Sequence, residues 1–329
     1  MNVTLVAGGA GFLGSHMCRR LLGLGDVVIC VDNLSTGRRI NVADMADHER
    51  FHQADHDITV ALEHNGSLTA LLDAHPLSRV CNFASPASPF AYAAMPVETL
   101  MVGSIGMRHL LDLALRTGAR LLQSSTSEVY GDPDIHPQPE TYWGRVNPIG
   151  PRSMYDESKR FAEALCAVYE RTHGVDLRMA RIFNTYGPAM SPEDGRVVTN
   201  FIGQALRGDD ITIFGDGSQT RSFCYVDDEI SGFIALLESD VRGPVNIGNP
   251  VEFTMIELAH LVLELTGSQS SLVYRALPGD DPTQRCPDIG RAQRELGWTP
   301  QVALAQGLER TIAWFRTLPQ FAGLSAPRR

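Results

Sequence analysis

The 329-residue sequence contains no Cys-x-x-Cys pair, a spacing that directly signals zinc. Its six cysteines, Cys18, Cys30, Cys81, Cys166, Cys224 and Cys286, are scattered and mostly flanked by apolar residues. Buried free thiols are therefore expected in place of disulfides or metal ligands, and no metal site is expected. No apolar run is long enough to cross a bilayer, and the first residues enter a strand without a signal-peptide layout. These absences predict a reduced, cytoplasmic protein with no membrane partner. Positive charge is scarce, with 28 Lys and Arg against 38 Asp and Glu, a net charge of −10. That argues against nucleic acid as a partner. It leaves room for an anionic small ligand held by a local arginine cluster.

What is present is an apolar fraction of 43%, ample for a large core. The length suits a nucleotide-binding domain with a smaller appended part. Val3–Ala7 is a short apolar run of the kind a buried parallel strand makes. Gly8, Gly11 and Gly14 follow at Gly-x-x-Gly-x-x-Gly spacing and lead into the helical pattern of Met17, Leu21 and Leu22. Glycines keep such a turn tight and let a pyrophosphate reach the backbone and the helix N-terminus. A surface turn would also use glycine, but its place between strand and helix favours a dinucleotide. Val27–Val31 is the next strand, and Asp32 at its end can accept from an adenosine ribose while repelling a 2′-phosphate, which favours NAD over NADP. Arg38 and Arg39 read as solvated surface charge. Asp55–Ile58 ends a third strand that could meet the adenine; an isolated acid such as Asp57 is more often a cap, and only its context supports a ligand role.

Arg79–Ala84 is a fourth strand, running into the proline-bounded loop Ser85–Pro89 at the sheet edge where ligands bind. Thr99–Leu115 reads as one long helix. Ala119–Ser125 is a fifth strand, followed by Thr126, Ser127 and Glu128, whose hydroxyls and carboxylate can reach a substrate or cap the next turn. The run Tyr155-Asp156-Glu157-Ser158-Lys159 precedes a helical pattern, so Tyr155 and Lys159 share one face, a turn apart. A nearby ammonium favours a phenolate, lowering the tyrosine pKa and making Tyr155 a candidate general base. Leu177–Phe183 is a further strand ending at Asn184. Alternating strands and helices predict an α/β, Rossmann-type doubly wound parallel sheet over residues 1–185, which can recruit later segments. Residues 186–318, with short elements, prolines and spaced arginines, predict a smaller mixed α/β substrate domain. Helices are expected at Val197–Leu206, Asp228–Leu237, Thr254–Leu265 and Leu308–Phe315. Arginine binds phosphate by a two-pronged fork, so Arg196, Arg221 and Arg285 suggest a nucleoside diphosphate, with Arg207 and Arg275 read as solvated. Residues 319–329 read as a flexible tail.

Taken together, Gly8–Gly14, Asp32, Thr126, Tyr155 and Lys159 resemble the extended short-chain dehydrogenase/reductase family over nearly the whole chain. Within it, Asn82–Pro89, Ser125–Pro133, Asn147–Arg152, Asp194–Val198, Gln219–Phe223 and Asp280–Arg285 resemble the branch that decarboxylates UDP-glucuronate. The resemblance implies Thr126, Tyr155 and Lys159 as the hydride-transfer triad, with Ser127, Glu128 and Arg221 at the carboxylate end of the sugar. It implies NAD held by Gly8, Gly11, Phe12, Leu13, Asp32, Asn33, Thr36, Asp57, Ile58, Ala84, Ser85, Ser124, Tyr155 and Lys159. It implies a UDP-sugar held by Ser88, Asn184, Arg196, Val198, Arg221 and Arg285, and a homodimer joined by a four-helix bundle. Ser127 stands where sugar-nucleotide 4,6-dehydratases carry an aspartate, and Glu128 where 4-epimerases usually lack a glutamate. Met101 and Gly103 stand where the family usually carries lysine and asparagine, at the diphosphate or ribose and beside the Tyr155 helix. Release of a 4-keto pentose, 4-epimerisation and a non-catalytic NAD(H)-sensing role stay open as alternatives.

Overall fold

The computed structural model describes residues 1–276 and 284–322. The Asp280–Thr283 part of the motif at Asp280–Arg285, and tail residues 323–329, lie outside them. The first half runs β1 (Val3–Ala7), α1 (Phe12–Gly23), β2 (Val27–Asp32), β3 (Phe51–Asp55), α2 (Gly66–Ala74), β4 (Arg79–Asn82), α3 (Pro89–Ala94), α4 (Pro96–Met101), α5 (Met107–Thr117), β5 (Arg120–Thr126), α6 (Ser153–His173) and β6 (Leu177–Ile182). The second half runs β7 (Thr185–Tyr186), α7 (Val197–Arg207), β8 (Ile211–Phe214), β9 (Thr220–Ser222), β10 (Cys224–Tyr225), α8 (Val226–Glu238), β11 (Pro244–Ile247), β12 (Glu252–Thr254), α9 (Met255–Thr266), β13 (Leu272–Arg275), β14 (Gln284–Arg285), α10 (Gly290–Leu296) and α11 (Leu304–Phe315).

Seven strands form one parallel sheet in the order β11-β6-β5-β4-β1-β2-β3. Its strands are apolar and nearly continuous because both faces are covered: all six residues of β2 are buried. Side chains alternate along each strand. Val6, Val28 and Cys30 therefore enter a core with Met17 of α1 and Phe233 of α8. Leu5, Ile29 and Val31 enter the opposite core with Met107 and Leu110 of α5 and Ala162 of α6. Helices α5 and α6 stop at Gly118 (φ 69°) and Gly174 (φ 71°), left-handed positions that glycine takes without a Cβ penalty. The order reverses between β1 and β4, which opens the crevice at the strands' C-terminal ends where ligands sit in such sheets.

Two details differ from the sequence expectation. β3 ends at Asp55, so Asp57 and Ile58 lie in the following loop. The long helix expected from Thr99 carries a π-turn at Val102–Gly106 between α4 and α5. β11 comes from beyond residue 185 and completes the main sheet, with α8 packed on that sheet. The remaining strands form small sheets, β7 with β10, β8 with β13, and β12-β9-β14, over which α7, α9 and α11 pack against one another. Asp228 ties the lobes: its carboxylate accepts from the backbone N–H of Gln301 (2.9 Å) and Val302 (2.7 Å). No helix among the described residues is long and apolar enough to cross a membrane.

Candidate active site

One cavity of about 1190 Å³ runs along the C-terminal edge of the sheet and under the second lobe. All the residues proposed from sequence for cofactor, substrate and chemistry line it, from Gly8 and Asp32 at one end to Arg221 and Arg285 at the other.

At the first end the backbone is stripped of side chains. A Cβ on Gly14 would lie 2.0 Å from Gly8 O, and one on Gly8 (φ 74°) would lie 2.6 Å from Ala84 N. The loop can keep its path only with glycine there, and it leaves the N-terminus of α1 open. That terminus has no side-chain cap and no acidic residue in its first turn, so its N–H groups and positive dipole end are free for an anion. Asp32 accepts from the N–H of Ala10 (2.9 Å) and Leu34 (2.7 Å). A carboxylate has about four acceptor sites, so acceptor capacity remains for a ribose hydroxyl. Asp57 caps its own loop through Thr59 (2.8 Å) and takes Asn33 Nδ2 (2.9 Å). Arg39 pairs with Asp55 and Arg38 reaches Ala189 O, so both arginines are engaged within the protein. This end fits a dinucleotide without a 2′-phosphate.

At the centre, Tyr155 projects from the first turn of α6, with its hydroxyl facing Thr126 at the end of β5. Lys159 Nζ, one turn on, donates to Ser124 O at 2.9 Å and lies 5.9 Å from the Tyr155 ring centroid. Sequence spacing predicted a lowered tyrosine pKa, and the structure corrects this. Burial pushes the Tyr155 phenol up, Glu128 adds to that, and the Thr126 hydrogen bond and Arg196 only partly oppose it. Lys159 is spent on a carbonyl and is itself brought down to about 8 by desolvation. A phenolate here therefore needs further positive charge from bound ligands.

The far end is built on a buried carboxylate. Burial alone would raise the Glu128 pKa, but Arg285, Arg152 and Arg221 hold it below the usual range. Arg285 grips it with both prongs, Nη1 to Oε1 at 2.7 Å and Nη2 to Oε2 at 2.8 Å, and Arg152 Nη2 lies 3.0 Å from Oε2. Arg221, proposed from sequence for the carboxylate end, sits beside this pair on β9, its Nη1 donating to Thr220 O at 2.9 Å. Arg196 stands just before α7 and pairs with Asp194, Asn184 donates to Ser222 O at 3.4 Å, Ser88 caps α3, and Val198 is buried in α7.

Three participants were not assigned a role from sequence. Arg152 lies in the quoted Asn147–Arg152 stretch, where its position just before α6 was the available signal. Tyr92 stacks on Tyr155 (centroids 5.1 Å apart, planes at 14°), and nothing local in sequence announces that contact. Asp156 is buried, with Oδ1 lacking a hydrogen-bond partner, and desolvation with the Glu128 charge pushes its carboxyl up to about 7. Gly103 has a packing reason. Its Cβ position lies 2.6 Å from Ser158 O and 2.7 Å from Ser158 Oγ, so α6 nests against the π-turn only because no side chain intervenes.

Comparison with known proteins follows this geometry. The model of the NAD dependent epimerase/dehydratase family matches residues 4–248. The chain is 48% identical over 312 residues to UDP-glucuronic acid decarboxylase 1 of Xenopus tropicalis, covering 95% of this chain and 72% of that protein. It is 50% identical over 305 residues to UDP-glucuronic acid decarboxylase 3 of Arabidopsis thaliana, covering 92% and 86%. Its fold is similar to the crystal structure of UDP-glucuronic acid 4-epimerase from Bacillus cereus in complex with UDP-glucuronic acid and NAD, with TM-score 0.84, 27% identity and coverage of 95% and 99%.

Two outcomes are expected. Gly103→Ala forces α6 off the π-turn, costing about 1–3 kcal/mol and lowering turnover through Tyr155 and Lys159; thermal melting and steady-state kinetics check it. For Asp156, the unfolded carboxyl ionises near 3.8 and the folded one near about 7. Between those values the folded chain holds a proton the unfolded chain has lost, so stability falls as pH rises through the window. Asp156→Asn should flatten that fall, as urea midpoints measured across the window would show.

Proposed function

The chain belongs to the NAD dependent epimerase/dehydratase family, and from that premise we propose that it is a UDP-glucuronate decarboxylase yielding UDP-xylose and CO2. The observation that carries this is the Glu128–Arg285–Arg152 group beside the Tyr155–Thr126 pair. A proton-transfer group for a sugar hydroxyl stands next to a pole built to handle a carboxylate. Ser127, where a dehydratase would need an acid, weighs against water elimination.

Residues 1–185, with later strands, hold the cofactor, and residues 186–318 hold the UDP-sugar. Gly8, Gly11, Phe12, Leu13 and Asp32 hold NAD, with Asn33, Thr36, Asp57 and Ile58 around the adenosine and Ala84, Ser85 and Ser124 beside the nicotinamide half. NAD, when bound, supplies the reversible hydride acceptor that makes C4 of the sugar a ketone for the middle of the cycle. Tyr155 takes the C4 hydroxyl proton and later returns it, with Thr126 fixing the oxygen and Lys159 holding positive charge nearby. Once C4 is a ketone, the C6 carboxylate is β to it, and the electrons of the breaking C5–C6 bond have an acceptor. CO2 leaves, and Tyr155, now protonated, donates to the resulting enolate oxygen. Arg221 pairs with the C6 carboxylate, and the negative charge of Glu128, itself held by Arg285 and Arg152, disfavours its retention. A proton returns to C5 through Ser127 or Glu128. Arg196, Asn184, Ser88 and Val198 bound the UDP and sugar.

We also assign a homodimer. Phe161 and Val168 of α6 are 52% and 41% exposed, and Leu100 and Ile105 are exposed on the helical run that packs beside α6. Two such faces meeting would make a four-helix bundle. All six cysteines are free and buried, which suits a cytoplasmic setting.

Incubation with UDP-glucuronate and NAD, followed by mass spectrometry, should give UDP-xylose without lasting NADH absorbance. A product of unchanged mass would mean epimerisation, and a 4-keto pentose with stoichiometric NADH would mean the cycle stops early. Tyr155→Phe should lower kcat by about 10²–10⁴-fold. Light scattering should give the mass of two chains, and Phe161→Glu should give one; a wild-type monomer would sink the dimer.

A further inference from the structure

Behind the arginine pole lies a second group of chemistry-bearing side chains that the mechanism does not use. His136 Nε2 is 2.9 Å from Glu252 Oε2. One ligand atom from each of His136, Glu252 and Cys286 lies within 4.8 Å of the others. No local spacing marks this group, because its donors come from three remote places: the loop after β5, the first residue of β12, and the residue that follows β14.

The group is held from outside. Gln138, 1% exposed, accepts the Cys286 N–H on its Oε1 at 2.9 Å and donates through Nε2 to Ile135 O at 2.8 Å. Its backbone N–H donates to Cys286 O at 2.9 Å. The same residue thus fixes the segment bearing His136 and the strand end bearing Cys286. Thr220 Oγ1 donates to the second Glu252 oxygen at 2.6 Å, which leaves Oε2 facing the histidine. Such outer contacts orient ligands in metal sites. The thiol is 2% exposed, whereas the His136 and Glu252 side chains keep 32% and 26% of their exposure, so an ion has a way in from one side only.

We propose that His136, Glu252 and Cys286 form a binding site for a borderline divalent cation of the zinc class, with a water completing a tetrahedral set. Mixed imidazole, carboxylate and thiolate donors select zinc over the oxygen-loving magnesium and calcium. Binding is an exchange: the ion takes the sulfur and the His136 Nε2 lone pair, the thiol proton leaves to solvent, the ring proton shifts from Nε2 to Nδ1, and the hydrogen bonds from His136 to Glu252 and from Cys286 to Pro250 O are given up. The site's role follows from strand pairing. β12 and β14 flank β9, with Phe253 and Arg285 both opposite Arg221. An ion joining Glu252 to Cys286 therefore clamps the two outer strands and pins Arg285 where it grips Glu128. The site does not depend on which sugar nucleotide the enzyme takes.

The probe is cobalt(II) chloride added to the chelator-treated full chain. We expect a near-ultraviolet sulfur-to-cobalt charge-transfer band that saturates at one ion per chain and is displaced by zinc. Zinc should raise the melting temperature of the wild type. Cys286→Ser should abolish the band, and His136→Gln, a change at an exposed side chain, should weaken cobalt binding at least about tenfold. A wild-type chain with no band, or a band that survives Cys286→Ser, would overturn the site and leave a hydrogen-bonded cluster only.

Discussion

The ion pair between Glu128 and Arg285 is the constraint around which the cavity is arranged. A carboxylate taken out of water at the end of a central strand is costly unless charged donors meet it in good geometry. Here the partners come from opposite directions: Arg152 from the segment leading into α6, and Arg285 from β14 in the second lobe. Satisfying one buried charge therefore draws the second lobe onto the sheet edge and fixes the start of α6. Since α6 also carries Tyr155 and Lys159, these two side chains and the Glu128–arginine cluster are held in register by the same element.

The electrostatics divide the cavity by function. The glycine loop and the open N-terminus of α1 supply a positive field without any charged side chain. The opposite end uses arginines against acids, and neighbouring carboxyls are driven apart, Glu128 below and Asp156 above their ordinary values. Tyr155, pushed up by burial, is in its protonated form at neutral pH until ligands change its surroundings. The apo pocket is thereby prevented from holding a reactive phenolate.

Much of this was legible in the sequence, for physical reasons. Parallel strands buried on both faces leave uninterrupted apolar runs, so β1, β2, β5 and β6 could be placed closely. The Gly8–Gly14 spacing and the turn between Tyr155 and Lys159 are local, and local geometry survives into the fold. The resemblance carried the remaining contact residues, and they converge on one cavity. What stayed hidden depends on meetings between distant segments. Tyr92 reaches Tyr155 only because α3 folds back over α6. Gly103 looked like a loss until Ser158 was seen to occupy its space. The π-turn in the α4–α5 run leaves no periodic signal, because the apolar positions on either side still suit a helix. The tyrosine pKa was misjudged because spacing shows who is near, while burial decides what nearness is worth.

The seventh strand of the main sheet, β11, is contributed by the second half of the chain, and α8 beside it covers that sheet too. The two lobes are therefore interlaced along the sequence and are not beads on a string. Retargeting this scaffold to another nucleotide sugar by grafting everything after residue 185 would replace an edge of the main sheet along with the second lobe. A chimera that preserves the sheet must exchange the substrate-facing pieces around β11 and α8 separately. For the same reason, natural divergence of specificity in this architecture can proceed by change within the loops more readily than by shuffling whole domains.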